Sequence, residues 1–86
     1  MNFKYNPNDY IDYLKNDLNN LYKNYEAFIN EKTKLNYFKF DNAFEQFFYG
    51  LKSNEVRSHY LESNISELRD YGIGLRNSAY EIYERI

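Results

Sequence analysis

The chain has 86 residues, no cysteine and a single histidine, His59. This length allows one small domain at most, and neither a disulfide framework nor a zinc site can support it. The net charge is −2, from 11 basic and 13 acidic residues, which gives neither the basic excess of a duplex-binding protein nor the acidic excess of a DNA mimic.

The sequence shows neither a signal peptide nor a segment that could span a membrane. Residues 1–7 contain no apolar run of the kind that a signal peptide needs, and the longest apolar run, residues 47–49, is far too short to span a membrane. We therefore expect a cytoplasmic protein that does not enter a membrane. The 11 tyrosines and 7 phenylalanines, whose codons are AT-rich, favour a bacterial cell or a phage-infected host as its source.

The first predicted helix covers about residues 7–35. Asn6 is a candidate N-cap, and Pro7 suits the first helical position. Apolar residues then recur at alternating spacings of three and four, with only Lys32 off-pattern, which is the heptad pattern of a coiled-coil seam. The seam of this helix consists of Ile11, Leu14, Leu18, Leu21, Tyr25, Phe28 and Leu35.

An aromatic connector is predicted over residues 36–41, where the heptad pattern stops. We expect its rings to pack under the bundle. Asn42 follows as a second candidate N-cap, with Glu45 three residues later to complete a capping box.

The second predicted helix covers about residues 42–85. Its seam keeps one register through Phe44, Phe47, Leu51, Leu61, Ile65, Leu68, Leu75, Ala79, Ile82 and Ile86. Residues 52–58 either continue the helix through a weak stretch or break it, with a restart near Ser53 or Asn54. The unbroken register favours a continuous helix. Residues 72–74, Gly-Ile-Gly, are a second weak point, because each glycine costs about 1 kcal/mol in a helix. They indicate a hinge, a close contact or a helix end.

These patterns predict an all-α fold for residues 1–86, either a long antiparallel helical hairpin or a small helical bundle with heptad-like seams. A two-helix hairpin with unequal arms leaves part of each seam uncovered. The uncovered part would be buried by the longer arm bending back, by a partner protein, or by a second copy in a homodimer.

The sequence offers little for catalysis. His59 is the one side chain that could serve a serine nucleophile as base, and no nucleophile elbow accompanies it. Glu55, His59 and Glu62 have helical spacing, but in this register they form a solvated outer face rather than a metal site. Gly72-x-Gly74 lacks the strand and the third glycine of a nucleotide loop. We therefore expect a protein without enzymatic activity and without catalytic residues. We also expect that it binds no cofactor, metal ion, nucleic acid or small-molecule substrate.

Apolar side chains outside the seams are the strongest functional signal. Tyrosine is common at protein interfaces because its ring gives contact area at low entropic cost and its hydroxyl fixes register. The predicted partner-binding residues are Tyr13, Tyr49, Val56, Tyr60, Ile73 and Tyr80.

Two further features match a known family in outline. Phe38-Lys39-Phe40 is a short aromatic segment near the middle of the chain, and Tyr80 with Glu84 fits a Tyr-x-x-x-acid pattern. This layout resembles the Trp-x-Gly helical hairpins that type VII secretion systems export, although the Trp and Gly themselves are absent. The resemblance implies a secreted partner or targeting chaperone, exported without a signal peptide as a four-helix-bundle dimer.

Two functional hypotheses follow. The first is a small intracellular inhibitor or adaptor, of the kind that phages and mobile elements encode, which docks on a partner protein. The alternative is the secreted partner or chaperone that the family resemblance implies. Both are non-enzymatic protein-binding roles.

Overall fold

The computed structural model describes residues 10–86, and this range contains four helices and no strand. The helices are α1 (Asp12–Asn30), α2 (Lys34–Gly50), α3 (Asn54–His59) and α4 (Glu62–Tyr83). The predicted all-α class and small helical bundle are confirmed. The predicted N-cap Asn6 and the helical start at Pro7 lie outside the described residues.

Helix α1 follows the predicted seam but is shorter than predicted. Leu14, Leu18, Leu21 and Phe28 are fully buried. The helix ends at Asn30 rather than at residue 35, because Glu31 adopts an extended backbone after donating its N–H to the Ala27 carbonyl. Leu35 therefore lies outside the seam, and its side chain is 64% exposed.

The predicted connector over residues 36–41 is wrong, since this segment belongs to α2. Thr33 begins the helix: its side-chain oxygen accepts the Asn36 N–H at 3.1 Å, as an N-cap should. The aromatic residues then bury one stripe, at spacings of three, four and three. The buried rings of this stripe are Tyr37, Phe40, Phe44 and Phe47. Asn42, predicted as the N-cap, lies in the middle of the helix.

The continuous second helix that the register favoured is also wrong, and the structure has the alternative, a break with a restart at Asn54. The chain breaks at residues 51–53 and again at residues 60–61. Ser53 caps α3 by accepting the Val56 N–H at 3.3 Å. The two breaks turn the short α3 so that Val56 is fully buried, whereas a continuous helix would point Val56 outward. Burial of this side chain and the cap offset the helical hydrogen bonds lost at the breaks.

The second weak point, residues 72–74, is helical throughout, and Gly72 is a close contact between α4 and α2. A Cβ built on Gly72 would lie 2.7 Å from Cε2 of the fully buried Phe47. A Cβ on Gly74 would meet no atom within 4 Å. Only the first glycine is therefore required for packing.

Helices α1, α2 and α4 pack together around one core. Ring contacts join Phe28 to Tyr37 and Tyr25 to Phe40, so α2 runs antiparallel to α1. The contact of Phe47 with Gly72 and the stacking of Tyr37 on Tyr83 make α4 antiparallel to α2. The second half of the chain thus bends back, and the middle of its seam, from Ile65 to Ala79, is covered within one copy, whereas Leu61 and Ile86 at its ends are 71% and 50% exposed.

The two glycines give a paired test of this packing. Gly72→Ala should lower the free energy of unfolding by about 1–2 kcal/mol, because overpacking costs more than the helix propensity gained. Gly74→Ala should raise it by about 0.5–1 kcal/mol. Urea denaturation followed by circular dichroism at 222 nm measures both. A stabilising Gly72→Ala would show that α4 does not lie this close to Phe47.

The packing of α4 also predicts a pH dependence. Burial raises the pKa of Tyr71 from 10.0 to about 12, and the nearby Tyr22 and Tyr25 phenols add to the shift. Because the folded pKa exceeds the unfolded one, this contribution to stability is complete below pH 10 and is lost as the pH rises towards 12. Denaturation measured across this range should show a smaller loss for Tyr71→Phe than for the wild type. An equal loss would mean that other groups cause the alkaline instability; Tyr49→Phe, at an exposed site, is the control.

Candidate protein-binding surface

The structure separates the six predicted partner-binding residues into three groups. Tyr49 and Tyr80 are 67% and 48% exposed, in agreement with their predicted outward positions. Tyr13, Tyr60 and Ile73 are half-buried against the core. Val56 is fully buried, so its predicted outward position is wrong and it cannot touch a partner in the folded protein.

Two of the half-buried tyrosines hold the start of α1 to the α3 region. The Tyr60 hydroxyl accepts the Ile11 N–H at 2.7 Å. The Tyr13 hydroxyl is hydrogen-bonded to the hydroxyl of Ser53, the residue that caps α3. These side chains therefore have structural roles that their sequence positions did not indicate.

Exposed apolar residues concentrate instead at one end of the bundle, where α2 begins and α4 ends. Seven large apolar side chains are exposed among the described residues, and four of them lie at this end. Phe38 is 51% exposed and Leu35 precedes it by one helical turn. The distal surface, as we define it, comprises Leu35, Phe38, Tyr80, Tyr83 and Ile86.

Ring contacts hold the distal surface together. Tyr83 lies with its ring centroid 6.0 Å from that of Phe38 and 6.3 Å from that of Tyr80. Beneath them the buried Tyr37 stacks on Tyr83 at 4.2 Å, with the ring planes only 19° apart. The exposed rings are thus supported by a fixed ring below, which limits the conformational entropy they would lose on binding.

Charged groups lie at the edges of the distal surface. Lys32 and Arg85 line an open groove with Ile82 and Ile86. Burial raises the pKa of Tyr37, and the Asp41 carboxylate raises it further while Arg76 lowers it. The Tyr37 phenol beneath the distal surface is therefore neutral at physiological pH. The distal surface thus has an apolar centre, and the charged side chains of Lys32 and Arg85 lie at its edge, as in many protein interfaces.

The sequence pattern predicts other places for three of the distal residues. It predicts Leu35 and Ile86 in the seams and Phe38 in the connector, whereas all three are exposed at this end of the bundle. The exposure of Phe38 could have been predicted by taking Thr33 as an N-cap. A helix that begins there has Tyr37 and Phe40 on its buried face and Phe38 on its exposed face.

The residues that the sequence offered for catalysis or metal binding do not come together within residues 10–86. His59 is exposed, and its Nδ1 lies 3.2 Å from the Glu55 carbonyl oxygen. Glu62 begins the next helix, so it does not share one helical face with His59 as its spacing suggested. No three His, Cys, Asp or Glu side chains within residues 10–86 are grouped to hold a metal ion. In the same range, no helix combines the length and apolar character that crossing a membrane requires.

No protein-family model, curated protein or solved structure matches this chain. The resemblance to the Trp-x-Gly hairpins stays a prediction. The segment Phe38-Lys39-Phe40, which would form the family's central turn, lies inside α2, and Glu84 of the Tyr80/Glu84 pair is the C-cap residue of α4.

Removing the hydroxyl oxygen of Tyr60 tests the structural role of this side chain. Tyr60→Phe leaves the Ile11 N–H without its acceptor and should lower the free energy of unfolding by about 1 kcal/mol. Tyr49→Phe, at an exposed position, should change it by less than about 0.5 kcal/mol. Chemical denaturation measures both values; equal stability of the two variants would contradict the hydrogen bond between Tyr60 and Ile11.

Proposed function

We propose that this protein is a non-enzymatic binding module that docks on a partner protein through the distal surface. One observation carries the proposal: four of the seven exposed large apolar side chains among the described residues lie together at one end of the bundle. Single exposed apolar residues are ordinary on a soluble protein, whereas a contiguous group with a charged edge is typical of an interaction site.

The chemistry of the distal surface suits a binding hot spot. Binding energy concentrates in aromatic anchors that are held in place before the partner arrives. Phe38 and Tyr80 are about half exposed, and both belong to the ring cluster that rests on Tyr37. Lys32 and Arg85 would supply the polar rim that sets orientation.

The role that fits this arrangement is that of a small intracellular inhibitor or adaptor, of the type that phages and mobile elements encode. Such a protein acts by covering a surface of a larger partner, so it needs a stable scaffold and one binding surface. The three packed helices supply the scaffold. The distal surface supplies a face at the end of the bundle, where a partner can be reached without disturbing the core.

The test is a comparison of surface variants. The double variant Phe38→Ala/Tyr80→Ala should keep its helical content but bind the partner at least about thirtyfold more weakly, because hot-spot truncations cost about 2 kcal/mol or more. Tyr49→Ala is the matched control: it also removes an exposed ring, but one outside the distal surface. Partners retained by the wild type from host extract are identified by mass spectrometry, purified, and titrated against each variant by calorimetry.

Two results would contradict the proposal. One is that a purified partner binds the double variant and the wild type with equal affinity. The other is that Tyr49→Ala weakens binding while the distal variant does not, which would move the docking site to another part of α2.

A further inference from the structure

A second feature lies where the end of α2, helix α3 and the start of α4 meet. These elements surround a concavity of about 140 Å³, which we call the basic concavity. Its lining consists of Phe48, Leu51, Lys52, Arg57, Glu62, Ile65 and Arg69. The volume is below the roughly 300–1,000 Å³ of typical small-molecule pockets, so the concavity suits one or two side chains.

The charge of the basic concavity is opposite to that of the whole chain. It gathers three basic side chains and one acidic one, while the chain carries a net charge of −2. None of the three basic groups forms an ion pair with another described residue. A cluster of cations without carboxylate partners is an attractive site for an anion.

Two of the three cations are positioned by neighbouring groups. The Lys52 ammonium lies 4.8 Å from the centre of the Phe48 ring. One guanidinium nitrogen of Arg69 donates to the Ser66 hydroxyl at 3.0 Å, and Arg69 is only partly exposed. Both side chains thus lose less conformational freedom on binding an anion than free surface residues would.

The floor of the basic concavity is apolar. Leu51 and Ile65 are 4% and 6% exposed, and Phe48 packs against the core beside them. An apolar floor lowers the local dielectric and strengthens a charge–charge contact above it. It also offers a contact for an apolar group next to the anion.

We infer that the basic concavity binds an acidic side chain of a partner protein, presented next to an apolar residue. Carboxylates accept two hydrogen bonds from a guanidinium, and the apolar neighbour would cover Leu51 and Ile65. A nucleic acid is disfavoured, because a polyanion needs a track of cations along its backbone and the chain as a whole is acidic.

This inference rests on the proposed function, since its ligand belongs to a partner protein, but it concerns a separate region. Along α4, Ile65 precedes Tyr80 by fifteen positions, which corresponds to about 22 Å of helix. A partner would therefore touch the distal surface with apolar groups and the basic concavity with an acidic one.

The test is a ¹⁵N NMR titration of the full chain with three probes. The first is the capped peptide acetyl-Leu-Glu-Glu-Leu-amide, and the second is its Gln-Gln counterpart, which lacks only the charges. The third is a short oligothymidylate. The acidic peptide should shift the amide signals of residues 48–52 and 65–69, and the Gln-Gln peptide should bind at least about tenfold more weakly.

Variants assign the effect to the basic side chains. Arg69→Gln and, independently, Lys52→Gln should each weaken acidic-peptide binding by about fivefold or more. Lys23→Gln removes the same charge from an exposed position on α1 and should leave binding unchanged. Lys52 is itself exposed, so its variant keeps the test valid should Arg69→Gln lower the stability of the fold.

The inference is overturned by any of three results. These are equal binding of the two peptides, tighter binding of the oligothymidylate, or no shifts at residues 48–52 and 65–69 at about 10 mM acidic peptide. None of these bears on the distal surface, whose Phe38→Ala/Tyr80→Ala variant retains the whole basic concavity. Failure of one proposal is therefore distinguishable from failure of the other.

Discussion

The close approach of α4 to α2 at Gly72 is the constraint on which the rest of the structure depends. Gly72 has no Cβ, so the buried ring of Phe47 can lie directly against the α4 backbone. This contact places α4 against one side of α2. Helix α1 covers another side of α2 through the ring contacts of Tyr25 and Phe28. The same approach brings Tyr83 onto Tyr37, so the ring cluster of the distal surface exists because the two helices lie this close.

Single hydroxyl side chains set the path of the chain. Thr33 and Ser53 each accept a backbone N–H at the start of a helix, and each cap restarts the helix in a new direction. Without these turns the two heptad seams would form a pair of long arms with uncovered apolar faces. With them, Val56 closes one part of the core and the seams meet within a single copy.

The heptad spacing predicted the middle of each seam, because burial of an apolar stripe dominates helix packing. It was wrong at Leu35, Leu61 and Ile86, which lie at or beyond helix ends and are exposed. Leu14, Leu18, Leu68 and Ala79 are all buried as their spacing indicated. The continuous helix was favoured over the alternative break near Ser53 or Asn54 because the register continues unchanged across that segment. The Ser53 cap, a single side-chain hydrogen bond, leaves no trace in the apolar spacing. Val56 was misassigned for this reason.

The candidate site was only partly predictable for a related reason. Tyr80 follows from the register of α4 alone, and it is exposed as expected. Phe38 depends on where α2 begins, and Leu35 on where α1 ends, so both required the position of the Thr33 cap. The basic concavity joins residues from three helices, and no local sequence pattern brings Lys52, Arg57 and Arg69 together.

One copy of the chain buries the central part of both seams by itself and leaves the distal surface free. Light scattering across a wide concentration range tests this most directly. We expect the monomer mass of 10.6 kDa at every concentration. A mass of twice that value persisting on dilution would contradict this expectation, because the apolar faces would then be covered by a second copy.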